Sequence, residues 1–92
     1  MYQITPYSER QAKKLNVIIL PSKRKNKKID VYNKAGKYIT SIGDRRYLDF
    51  PTYEIYYGKE TANKRRKAYK LRHEKDRHTK GTPGYYADKI LW

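Results

Sequence analysis

Apolar residues are sparse along this chain, and their spacing sets the elements. Val17-Ile18-Ile19-Leu20 is the longest apolar run. It predicts a buried strand over Asn16–Pro21, ended by Pro21 because proline cannot donate to a ladder. Ile29 and Val31 alternate with Asp30 and Tyr32, the period of a strand with one face turned inward. Asn33-Lys34-Ala35-Gly36 reads as a hairpin connection in which Gly36 takes a left-handed conformation. Lys37–Ile42 is the return strand, with Tyr38, Thr40 and Ile42 on the face opposite Ile39 and Ser41, and Gly43-Asp44 closes it. A lone hairpin is marginal in water, so this one is expected to pair with Asn16–Leu20 and to pack against a helix.

The helical period appears on either side of this sheet. Ser8-Glu9-Arg10-Gln11 is a capping-box pattern, which predicts a short helix from Ser8 to about Leu15 behind an extended arm, Met1–Tyr7. Asp49 before Pro51 marks a second helix start, Gly58 a stop, and Tyr53, Tyr56 and Tyr57 fall on one stripe between them. Lys59–Arg77 lacks Gly and Pro and is rich in Ala, Lys, Arg and Glu, so a long helix is expected, although its apolar content is thin. Thr79–Gly84 breaks the pattern. In Tyr85–Trp92 the pairs Tyr86/Ile90 and Ala87/Leu91 are spaced four apart, which makes a short aromatic helix. The expected architecture is α+β: a hairpin or three-stranded antiparallel sheet, a long basic helix and a C-terminal aromatic helix. The corresponding segments are an arm and short helix over 1–15, a sheet over 16–43 and a helical basic part over 44–92.

Composition narrows the function classes. In 92 residues there are five Leu, eight Ile, two Val and one Phe, a poor supply for a core, while eleven Tyr replace part of the missing contact area. There is no Cys, hence no disulfide and no thiolate metal site. The longest apolar run is too short to span a membrane, and no signal-peptide pattern opens the chain. Secreted toxin, membrane protein and zinc finger are therefore excluded.

Charge points to the partner. Lys and Arg number 23 against nine Asp and Glu, a net +14, and both halves are basic, +9 over residues 1–46 and +5 over 47–92. Cations interleaved with rings suit nucleic acid, where they displace condensed counterions while rings stack on exposed bases. An acidic protein surface satisfies the same charge. The candidate contacts are the loop Ser22–Lys28, with Lys23, Arg24, Lys25, Lys27 and Lys28, and the basic helix, with Lys64, Arg65, Arg66, Lys67, Lys70, Arg72, Lys75 and Arg77. On that helix Arg65, Arg72 and Lys75 share one face, and Arg66, Lys70 and Arg77 another. Nothing marks these side chains for reading base edges. Tyr32 and Tyr38 are expected to pair across the hairpin, and Tyr53, Tyr56, Tyr57, Tyr85 and Tyr86 to fill the core, with base stacking as their alternative use.

His73, Asp76 and His78 do not make a metal site, because histidines five apart sit about 140° from each other on a helix, whereas zinc helices space them four apart. Local pairs Lys70–Glu74 and Arg72–Asp76 are expected there instead. No nucleophile–base pair or phosphate loop is present in the sequence, so the chain reads as a non-enzyme without cofactor or small-molecule substrate. Tyr85, Tyr86, Ile90, Leu91 and Trp92 read as an anchor that docks either onto the chain's own hairpin or into a partner.

Arg65–Lys75 (RRKAYKLRHEK) followed by Gly81–Trp92 (GTPGYYADKILW) resembles a family of small basic proteins encoded by tailed bacteriophages and large nucleo-cytoplasmic DNA viruses. The shared pattern is a basic helix, a glycine-containing break and an aromatic segment with Leu-Trp. The Gly43–Tyr57 region is similar in its glycine followed by an Asp- and Tyr-rich stretch. The resemblance implies a viral origin and makes Leu91-Trp92 a packing or docking element. It directs the reading to a minor structural protein of a virus or phage particle, its basic face on packaged DNA or an acidic capsid surface. Its location is then the virion, or otherwise the cytoplasm or nucleus of the infected cell. The alternative is a sequence-nonspecific nucleic-acid-binding protein of viral replication or transcription, and an inhibitor of a host enzyme forms a third class.

Overall fold

A computed structural model describes residues 2–92. The first helix, α1 (Pro6–Leu15), starts earlier than the capping box predicts. Thr5 is its N-cap, its Oγ1 accepting from the Ser8 amide at 3.2 Å, and Pro6 fills the first turn, where a missing N–H costs nothing. Ser8 is instead buried inside the helix, and its hydroxyl donates to the Ile90 carbonyl at 2.9 Å. The helix ends at Asn16, whose left-handed backbone (φ 59°) returns its N–H to the Ala12 and Lys13 carbonyls.

The expected three-stranded antiparallel sheet forms, in the order β1 (Ile18–Pro21), β2 (Ile29–Tyr32), β3 (Tyr38–Ile42). β1 is an edge strand and, contrary to the expectation of a buried strand, turns only Val17 and Ile19 inward. Ile18 and Leu20 remain 38% and 50% exposed, because a strand alternates its faces whatever its composition. The hairpin turn is as expected, with Asn33 accepting from the Ala35 and Lys37 amides and Gly36 at φ 86°.

One register detail differs. Val31 pairs with Thr40 but Tyr32 with Tyr38, so Ile39 is an extra residue in a bulge. The bulge moves Tyr38 away from the face of Thr40 and Ile42 and onto that of Tyr32 and Asp30. There the Tyr32 and Tyr38 rings meet edge-on at 5.9 Å. The Tyr38 and Ser41 hydroxyls share a hydrogen bond of 2.7 Å, and Ser41 donates to Asp30 at 2.6 Å.

The opposite face of the sheet carries the core: Ile29, Val31 and Ile42 with Val17, Ile19, Ala12 of α1, and Ile90 and Leu91 of the last helix, α4 (Pro83–Leu91). Of the two docking options for the C-terminal segment, the structure takes the first. Ile90 and Leu91 are fully buried against the chain's own hairpin and α1, Tyr86 packs at the edge of that core, and Tyr85 and Trp92 are partly covered. As external anchors Ile90 and Leu91 are therefore spent. Gly43 lets this happen: at φ 80°, its missing side chain leaves room for Leu91, whose Cδ1 lies 2.8 Å from where a Cβ would stand.

α2 (Phe50–Tyr57) begins at Asp49 and stops at Gly58, as its signals predict. α3 (Lys59–Arg72) packs against it but is shorter than the predicted Lys59–Arg77. His73 ends it, and turns follow in which both Asp76 and Arg77 donate to the His73 carbonyl. In a straight helix Lys70 and Arg77 would stand about 10 Å apart along the axis. Ending the helix early brings both toward one carboxylate, Asp88 of α4, at 2.7 and 3.7 Å. The expected Lys70–Glu74 and Arg72–Asp76 pairs are replaced accordingly. Glu74 binds Arg77 and His78, and Asp76 lies 3.9 Å from His73.

Candidate nucleic-acid interface

Thirteen cations carry the sequence expectation of a polyanion surface, and the fold divides them. Lys28 is buried and binds Asp49 at 2.9 Å. Asp49, which caps α2, also accepts from the Tyr2 hydroxyl at 2.6 Å, the Thr52 hydroxyl at 2.6 Å and the Thr52 amide at 3.2 Å. Burial alone would push the Asp49 carboxyl up. The Lys28 ammonium and these hydrogen bonds outweigh it and hold the group below the usual carboxylate range. Burial and the neighbouring Asp49 push the Tyr2 phenol up.

On α3, Arg66 lays its guanidinium 3.6 Å from the ring centre of buried Phe50, and its Nε is buried. Lys70 and Arg77 serve Asp88. Lys28, Arg66, Lys70 and Arg77 are thus structural and are withdrawn from the predicted contact set. The face of Arg66, Lys70 and Arg77 is the one that looks inward.

The remaining cations are exposed: Lys23, Arg24, Lys25 and Lys27 in the loop, Lys64, Arg65, Lys67 and Arg72 on α3, and Lys75 just beyond it. The loop does not wave freely. Ser22 donates its amide to the Lys28 carbonyl and accepts from Arg24, Lys27 donates to Arg24, and Asn26 accepts from the Arg45 amide at 2.9 Å. That last bond joins the loop to the segment Asp44–Leu48, so Arg45 and Arg46, which the sequence reading left out, extend the same basic patch. Hydrogen bonds from the Arg46 side chain and backbone bring the Asp44 carboxyl down to about 2.

Between Asp44–Leu48 and the end of α3 lies a cleft of about 360 Å³. Asp44, Tyr47 and Leu48 line one side; Tyr69 and Arg72 of α3, with His73, Leu91 and Trp92, line the other. A run of rings leads out of this wall. Tyr57 meets Tyr53 at 6.0 Å, Tyr53 meets Trp92 at 6.2 Å, Trp92 stacks on Tyr69 at 4.4 Å and 7°, and Tyr69 meets His73 at 4.3 Å. Burial and nearby Asp88 push the Tyr69 phenol up to about 12. A second, smaller hollow shares Leu48 and continues past Tyr53 and Tyr57 to Arg65, whose guanidinium sits 5.5 Å from the Tyr53 ring.

These rings correct the expectation that the tyrosines fill the core. Tyr56 and Tyr57 are 72% and 62% exposed, and Tyr53 is half-covered beside the cleft. Tyr69 and Tyr47, neither singled out in the sequence, are central to it. The i,i+4 spacing of Tyr69 and His73 was the one available signal.

Among the described residues no group of three His, Cys, Asp or Glu side chains is placed to hold a metal ion, and no helix is long and apolar enough to cross a membrane. Compared with known protein families, curated proteins and solved structures, the chain has no match.

Proposed function

We propose that the protein is a non-enzymatic, sequence-independent nucleic-acid-binding protein that grips the phosphate backbone along the basic rims of its cleft. One observation carries this reading. Once the internal ion pairs are set aside, exposed cations remain on the loop Lys23–Lys27, on Arg45 bonded to that loop, and on α3, where Arg72 lines the aromatic-walled cleft and Arg65 the hollow beside it. Exposed cations without base-edge readers favour binding by charge over binding by sequence.

The resemblance to phage and large-DNA-virus proteins supports viral DNA as the target, either packaged in the particle or exposed during replication and transcription. Of these settings, a virion component locked in place by its C-terminus is disfavoured, since Ile90 and Leu91 are occupied within the fold. Nucleic-acid contact therefore leads, and a minor structural role rests on DNA contact alone.

Fluorescence anisotropy of labelled DNA across a salt series tests the proposal. Contact through about six cations predicts binding that weakens by orders of magnitude between about 50 and 200 mM salt. Arg72→Ala and Arg65→Ala each reduce the salt slope by about 1. Binding already absent at the low-salt end, or a slope that ignores both substitutions, overturns it in favour of an acidic protein partner.

A further inference from the structure

The cleft holds more aromatic surface than phosphate contact needs. A duplex offers its backbone to cations but keeps its base faces stacked within the helix, so rings lining a cleft wall gain little from it. A single strand presents those faces, and every base has one. We propose, building on the phosphate-binding reading, that this cleft receives an unstacked base of single-stranded nucleic acid, with the backbone held at its rims.

Three features support that occupant. The wall is ordered in advance: Trp92 stacks on Tyr69 at 4.4 Å and follows the fully buried Leu91, while Tyr69 is held on the far side by His73 at 4.3 Å. Rings already fixed lose little side-chain freedom when a base joins them. On the opposite bank Tyr47 is 67% exposed and has ring surface to give. Arg72 stands on the wall beside the rings, and Arg46, paired with Asp44 at 2.7 Å, has its guanidinium 5.9 Å from the Tyr47 ring. Rings flanked by cations suit a chain that alternates flat bases with phosphates. An acidic peptide satisfies the cations and leaves the rings without a partner.

Trp92 is the sole tryptophan and lies in the cleft wall, so its emission reports occupancy directly. The full chain is titrated at low salt with three probes: an oligo-dT strand, a blunt DNA duplex of the same length and inorganic polyphosphate. Oligo-dT is expected to bind at least about tenfold tighter than the duplex and to quench Trp92, and polyphosphate to bind without quenching. Tyr47→Ala, at an exposed side chain, is expected to weaken oligo-dT binding roughly 5- to 150-fold, the loss of one base–aromatic stack, and to leave polyphosphate binding unchanged. Equal affinity for all three probes with unchanged emission overturns the base-binding cleft and leaves the phosphate reading standing. So does oligo-dT binding that Tyr47→Ala does not weaken. Failure of all three probes to bind overturns both.

Discussion

Asp49 links four parts of the chain through one carboxylate: the arm at Tyr2, the loop at Lys28, the start of α2 and Thr52 within it. Breaking a buried pair by neutralising one partner leaves the other charge uncompensated, which costs about 3 kcal/mol or more. Asn is as good an N-cap as Asp, so Asp49→Asn keeps the cap and isolates the charge. The expected outcome is a loss of about 3 kcal/mol in urea denaturation. The pH dependence follows from the lowered carboxyl. Its contribution is fully present above the ordinary carboxylate range, about pH 4, and is lost as pH falls through the lower native value. Urea midpoints of the wild type should therefore fall below about pH 4 more steeply than those of Asp49→Asn. This is also the scale at which the sequence misleads about the site. Lys28 and Lys70 look like free surface cations because their partners, Asp49 and Asp88, lie 21 and 18 residues away. Helical spacing reveals neighbours three or four apart and is blind to pairs made by the fold.

At the level of elements, legibility follows how local each signal is. The hairpin turn at Asn33–Gly36 and the limits of α2 at Asp49 and Gly58 are written in adjacent residues, and they form as read. The bulge at Ile39 is not, since Tyr38-Ile39-Thr40 alternates equally well in either register and the choice is made by Tyr32 and Ser41 across the sheet. The end of α3 is likewise not a local signal; it goes with Lys70 and Arg77 meeting at Asp88, 18 and 11 residues further on. Gly43 is the tightest join between elements, where β3 leaves the sheet beneath Leu91. Gly43→Ala combines a strained positive φ with a Cβ 2.8 Å from Leu91 Cδ1 and 2.9 Å from Lys28 Cδ. A loss of about 1–3 kcal/mol is expected, read as a lowered thermal midpoint, with Gly36→Ala smaller because open space surrounds that residue.

Across the whole molecule, one small core is shared by the beginning, middle and end of the chain. With so few large aliphatic side chains, Leu91 carries an unusual share of it. Leu91→Ala is expected to cost about 2–5 kcal/mol and to broaden or abolish cooperative urea unfolding. The aromatic wall sits directly on that core through Trp92, so the same variant should lose the Trp92 emission change with oligo-dT at temperatures where the wild type retains it. Composition signalled a basic protein with surplus rings, but not that they assemble into a cleft. That required Trp92 of the last segment to meet Tyr69 of α3, a pairing no local pattern encodes.

Ser8 on the first helix binds the carbonyl of Ile90 on the last, and Gln11 reaches Lys89 beside it. During synthesis the ribosome releases α1 and all three strands well before α4 emerges, so the apolar face of the sheet waits uncovered for its lid. Closure between these two helices therefore completes the fold. A chain truncated before Leu91 is expected to leave that apolar face uncovered, read as faster proteolysis than the full chain.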